Sequence, residues 1–163
     1  MGKKSVKENK NIYQLSRENA GLTRDAASEL LEFISPERIE KIENEKVVPH
    51  PDEVLAMEKG YMNPTLCNYF CTHECPIGKK YVPEAGLEEL SQITVEILAS
   101  LNSLEQEKNR LIEISVDGRV SDMERRDFDV ILEKLNSVDK SIQAMRIWIE
   151  HAANTGKIDE VED

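Results

Sequence analysis

Every patterned stretch of this chain spaces its apolar residues by three and four, the period of a helix resting on a core. Residues 22–49 read as two short helices with a tight joint. Thr23 suits the N-cap of the first, and Ala26, Ala27, Leu30 and Leu31 give it an apolar face of mostly small size. Ser35-Pro36 opens the second: Ser35 accepts from a free backbone N–H, and Pro36 sits where a missing N–H costs nothing. Ile39 and Ile42 face inward, while Glu37, Arg38 and Lys41 face out. A helix over residues 11–20 precedes this pair, with Ile12 and Leu15 inward and Gly21 closing it. Another follows Pro49 and Pro51, with Asp52 at its acidic start, Val54, Leu55 and Met57 toward the core, and Gly60 as its stop.

From Leu87 the pattern lengthens. Leu87, Leu90, Thr94, Ile97, Leu101, Leu104, Lys108 and Leu111 form one stripe, widened by Ile93, Leu98 and Ile112, on a single helix of about 28 residues, or roughly 40 Å. Ser121 and Glu124 make a capping box for a second long helix. Its stripe is Phe128, Ile131, Leu132, Leu135, Val138, Ile142, Met145 and Ile149, with Trp148 beside it, and Asn154-Thr155-Gly156 ends it. The expected class is therefore all-α: a bundle of short helices, then a long C-terminal antiparallel helical hairpin. The expected divisions are 1–10, a flexible basic arm; 11–83, the bundle, with a helix at 64–76; 84–155, the hairpin; and 156–163, an acidic tail. Wide apolar faces on both hairpin helices predict a homodimer through a four-helix bundle, against the alternative of packing within one chain.

Leu22-Thr23, Arg24-Asp25, Ala27-Ser28, Ile39, Ile42-Glu43 and Pro49, in that order, resemble the Cro/lambda-repressor-like helix-turn-helix regulators, the XRE family. The resemblance covers roughly residues 11–61 and departs at two places: Glu32-Phe33-Ile34 stands where the family usually has a Gly, and Glu45 where a Gly often follows Ile-Glu. It implies a lambda-repressor-like bundle and a sequence-specific transcriptional regulator that binds double-stranded DNA as a dimer. The helix from Ser35 would enter the major groove, with Arg38 and Lys41 on the DNA and Glu37 accepting from cytosine. Thr23 and Arg24 would hold phosphates. Against this, residues 35–43 carry Arg38 and Lys41 but also Glu37, Glu40 and Glu43. A net acidic helix is repelled by phosphate. The alternative is a module, of the phage or mobile-element antirepressor or inhibitor kind, that keeps this fold and binds protein, with the acidic hairpin as its working surface.

Cys67, Cys71 and Cys75 stand four apart, which on a helix places the thiols along one stripe. Three readings stand: small thiols packed against the core, a metal or iron–sulfur site completed by His73, His50 or a partner, and a redox-sensing thiol. The string from Leu66 to Gly78 also resembles a stretch found in a subset of the same regulators.

Composition changes the picture in one respect. The 163 residues carry a net charge of −11, which read globally disfavours nucleic acid. The charge is uneven: residues 1–83 hold 12 Lys and Arg against 13 Asp and Glu, and residues 84–163 hold 9 against 19. Only the first half suits an approach to phosphate, aided by Lys3, Lys4, Lys7 and Lys10 in the arm. With no long apolar run and no apolar leader, a cytoplasmic location without a membrane partner is expected. No nucleophile–base pair, phosphate loop or paired acidic cleft points to an enzyme. Asp117-Gly118 through Glu124 mimics half of a calcium loop, but Glu113 and Ser115 stand where its first ligands belong, so a turn and cap are expected.

Overall fold

A computed structural model describes residues 10–158, and these are helical, with no strand among them. The helices are α1 Ile12–Asn19, α2 Arg24–Leu31, α3 Pro36–Glu43, α4 Pro51–Tyr61, α5 Leu66–His73, α6 Gly78–Tyr81, α7 Leu90–Gln106, α8 Lys108–Ser115 and α9 Arg125–Asn154. They group into two compact units, one reaching to Val82 and including the segment from Glu150, the other Pro83–Ile149. No helix of the described residues is long and apolar enough to cross a membrane. Lys3, Lys4 and Lys7 of the arm, and the tail from residue 159, lie outside the described residues.

In the first unit the starts follow side-chain caps. Asn11, Thr23 and Ser35 accept from the N–H of Gln14, Ala26 and Arg38, three residues on in each case. The core joins Tyr13, Leu31, Ile39, Ile42, Val54, Met57, Leu66 and Phe70. Three inward expectations are corrected. Leu15, Leu30 and Leu55 are exposed, and the buried face of α1 is Tyr13, Gln14, Ser16 and Arg17. An aliphatic-only reading missed that Tyr13 and Arg17 share a face one turn apart.

Gly60 is not a stop but lies inside α4, where a Cβ would fall 2.8 Å from Leu31 Cδ2; the small residue lets α4 approach α2. The chain turns at Met62 instead, at φ 51°. Gly21, Glu45 and Met62 all hold positive φ beyond the ends of α1, α3 and α4. In each case the next N–H reaches back five residues: Leu22 to Arg17, Lys46 to Lys41, Asn63 to Glu58. These are three copies of the Schellman closure, which usually takes glycine. Glu32 also has positive φ, at 61°, and the Phe33 N–H bonds the Leu31 carbonyl at 2.7 Å, a tight γ-turn that ends α2. The two places where glycine was expected thus carry glutamates in glycine-like conformations.

The helix foreseen over 64–76 is shorter. α5 ends at His73, the chain turns, and Gly78 starts α6 against the backbone of Cys71, where a Cβ would sit 2.2 Å from the carbonyl oxygen. Cys75 therefore leaves the thiol stripe, and its Sγ accepts from the Gly78 N–H at 3.4 Å.

In the second unit the single long helix is corrected to two, starting at Leu90 and interrupted at Glu107. Its inner line is not the foreseen stripe. Ile93, Ile97, Ser100, Leu104, Glu107, Leu111 and Ile114 are all buried or half-buried and alternate by four and three. On α9 the matching line is Ile131, Lys134, Val138, Ser141, Met145 and Trp148. Ile93 packs with Ala144 and Ile147. Glu107 takes Lys134 at 2.5 Å, and Arg110 reaches Asp127 at 2.7 Å. Leu90, Leu98, Leu101 and Ile112, with Leu132, Leu135, Ile142 and Ile149, stay exposed. The chain holds two apolar lines per helix, and the inner one contains polar residues, so hydrophobicity alone picked a mixture of both. Before α9, Glu124 accepts from both the N–H and the hydroxyl of Ser121, and Asp117 from the Arg119 N–H.

Candidate nucleic-acid interface

α2 and α3 are joined by the four residues Glu32 to Ser35. α3 buries Ile39, Ile42 and Glu43 and turns Glu37, Glu40 and Lys41 to solvent, beside the exposed cap Ser35. The helix is thus half core and half surface.

Its inner acid is built into the scaffold. Glu43 is about 1 % exposed. Arg17 meets it with Nε at 2.6 Å and Nη2 at 3.0 Å, and uses Nη1 on the Leu22 carbonyl. Arg24 adds Nε at 2.8 Å and reaches Glu40 at 3.4 Å. One buried carboxylate therefore ties α1 and α2 to α3 through two guanidinium groups. Such an arrangement is tolerated only because every charge finds a fixed partner.

Arg38 makes the second clamp. Its Nε and Nη2 grip Glu53 at 2.7 and 2.8 Å, and Nη2 also reaches the Val48 carbonyl at 3.2 Å. Glu53 in turn accepts from the His50 N–H at 2.6 Å, closing the start of α4. Burial alone would raise the Glu53 carboxyl, but Arg38 and the His50 N–H outweigh it and hold the group below the usual carboxylate range. Glu53, and not the exposed Asp52, does the work at this helix end.

The six residues singled out for DNA therefore divide. Thr23 and Ser35 cap their helices and remain at the surface. Glu37 and Lys41 are exposed on the outer face of α3, the Glu37 carboxyl held low by its own backbone N–H and by Ser35. Arg24 and Arg38 are engaged by carboxylates, so their guanidinium groups are scaffold first. Sequence reasoning missed Arg17 and Glu53. The spacing of Arg17 from Tyr13 held a signal for one; nothing local marks Arg38 and Glu53, fifteen residues apart, as partners.

The cysteines pack against the core of the first unit. Cys67 donates its backbone N–H to Glu58 at 2.7 Å, and burial with Glu58 pushes its thiol up. Burial and Cys75 do the same to Cys71. Raised thiols are poor nucleophiles, which disfavours the redox reading at Cys67 and Cys71. Among the described residues no three His, Cys, Asp or Glu gather to hold a metal. His73 stacks on Tyr69 with centroids 4.3 Å apart, and His50 is exposed at the start of α4.

No protein-family profile, no curated protein and no solved structure matches this chain.

Proposed function

We propose that this protein is a dimeric DNA-binding regulator whose α2 and α3 form a lambda-repressor-like helix-turn-helix, and whose α7–α8 and α9 form an antiparallel hairpin that joins two copies. One observation carries the reading: α3 is clamped to three neighbouring helices by Glu43 and Arg38, yet presents Ser35, Glu37 and Lys41 to solvent. A rigid helix with a polar free face is what insertion into a major groove requires. Contacts on α3 fall to Lys41, Glu37 and Ser35, while phosphates meet the capped starts of α2 and α3. The hairpin is supported by partner order, since rising positions 93, 107 and 110 meet falling positions 147, 134 and 127.

A second reading is favoured by the same ion pairs. With Arg24 and Arg38 engaged, the outer face of α3 shows Glu37 and Glu40 against Lys41. Such a face suits a basic protein partner.

Binding of the full chain to DNA from upstream of its own coding sequence, measured by fluorescence anisotropy at about 50 mM salt and upward, separates the two. The DNA reading expects preference over scrambled DNA, and a loss of at least about tenfold in Lys41→Ala without change in thermal stability. Equal, weak binding to both DNAs, untouched by Lys41→Ala, transfers the conclusion to the protein-partner reading.

A further inference from the structure

A cavity of about 330 Å³ opens in the first unit between the start of α1, the segment after α3 and α5. Its volume lies at the small end of the range for ligand pockets, which suits a metabolite and not a peptide. Nothing in the helix-turn-helix reading uses it.

The walls have a definite chemistry. Tyr69 presents an aromatic surface, met edge-on by Tyr13 at 6.2 Å and 84°, and backed by His73 stacked at 4.3 Å. Tyr13 gives its hydroxyl hydrogen to Glu74 Oε2 at 2.9 Å, which orients that carboxylate at the cavity wall. Glu45 supplies a second carboxylate from the left-handed position after α3, at φ 56°. Ile42, Val47 and Pro49 complete an apolar lining. Among the described residues no lysine or arginine lines the space.

Aromatic faces carry a negative quadrupole, and carboxylates add full charge. An anion here would face Glu45 and Glu74, with only the exposed His73 and Lys79 near Glu74 to offset them. A neutral apolar ligand would use neither Glu45 nor Glu74, which Tyr13 already holds.

We propose that this cavity binds a small organic cation, a primary or quaternary ammonium of metabolite size, with Tyr69 against the cationic head and Glu45 and Glu74 neutralising it. The proposal is independent of whether the chain binds DNA.

Titration calorimetry of the full chain tests it with three probes: choline, butylammonium, and 3,3-dimethylbutan-1-ol, the uncharged isostere of choline. Saturable binding of choline or butylammonium is expected, weakened at least about tenfold by Tyr69→Leu and by Glu74→Gln, with the neutral alcohol weaker by a similar factor. Glu45→Gln gives the same loss and serves if either other variant fails to fold, as judged by its thermal transition. Glu29→Gln, an exposed acid outside the cavity, leaves affinity unchanged. The proposal is overturned if neither cation saturates by about 10 mM, where binding free energy is already under about 3 kcal/mol. It also falls if the neutral isostere binds equally well, or if Glu29→Gln costs as much as Glu74→Gln.

Discussion

Arg38 and Glu53 show how a single pair can both hold an element and set its pH response. The Arg38 side chain is about one quarter exposed and that of Glu53 about one tenth, so the pair is only partly screened. Arg38→Ala strands a nearly buried carboxylate and should lower unfolding free energy by about 2 kcal/mol in urea titrations. Because the Glu53 carboxyl is held low, the folded chain binds its proton less readily than the unfolded chain does. Its contribution is therefore present above about pH 4.3, the unfolded value, and is lost as pH falls through the lower folded value. Glu53→Gln should flatten the acid limb of a stability–pH curve. An acid limb identical to that of the parent would show that the clamp contributes nothing.

The ends of the elements hold most of the avoidable strain. Glu32 and Met62 sit at positive φ, where a Cβ costs about 1–2 kcal/mol and glycine costs none. Glycine gives part of that back through its freer unfolded chain. Glu32→Gly and Met62→Gly should each raise unfolding free energy by about 1 kcal/mol, and Gly21→Ala should lower it by a similar amount, all read from denaturant midpoints at constant slope. These ends also mark what the letters could convey. The starts at Thr23, Ser35 and Pro36 were legible, because a cap acts on a donor three residues away and leaves a local signature. The stop at Met62 was not, since methionine does not advertise a left-handed turn, and at Glu45 only the resemblance marked a place for glycine. The role of Gly60 was hidden for a related reason, because its neighbour Leu31 lies far off in sequence. The inner acid Glu43 was legible only as one charge of a net acidic helix, and its pairing with two arginines was not legible at all.

The proposed dimer rests on what the second unit leaves uncovered. Eight leucine and isoleucine side chains on α7, α8 and α9 remain exposed alongside the packed seam, among them Leu101 at 47 % and Leu135 at 40 %. Faces of this kind on both helices are the ones a four-helix bundle covers. Light scattering of the parent chain should give twice the 18.6 kDa protomer mass. The double variant Leu101→Glu, Leu135→Glu, altered only at surface positions, should give the protomer mass with helicity retained. A parent that stays at protomer mass at tens of micromolar would end the dimer. Within each protomer, Glu107 and Lys134 place a charged couple in a seam of apolar and small residues, where α7 gives way to α8, with the more exposed Arg110 and Asp127 paired at its edge. Sliding α9 by a heptad would set Lys134 beside Ser100 or Ile114 and leave Glu107 beside Ser141 or Asp127. The couple therefore works as an alignment key: it adds little to the hold of the two rods but permits them one mating position.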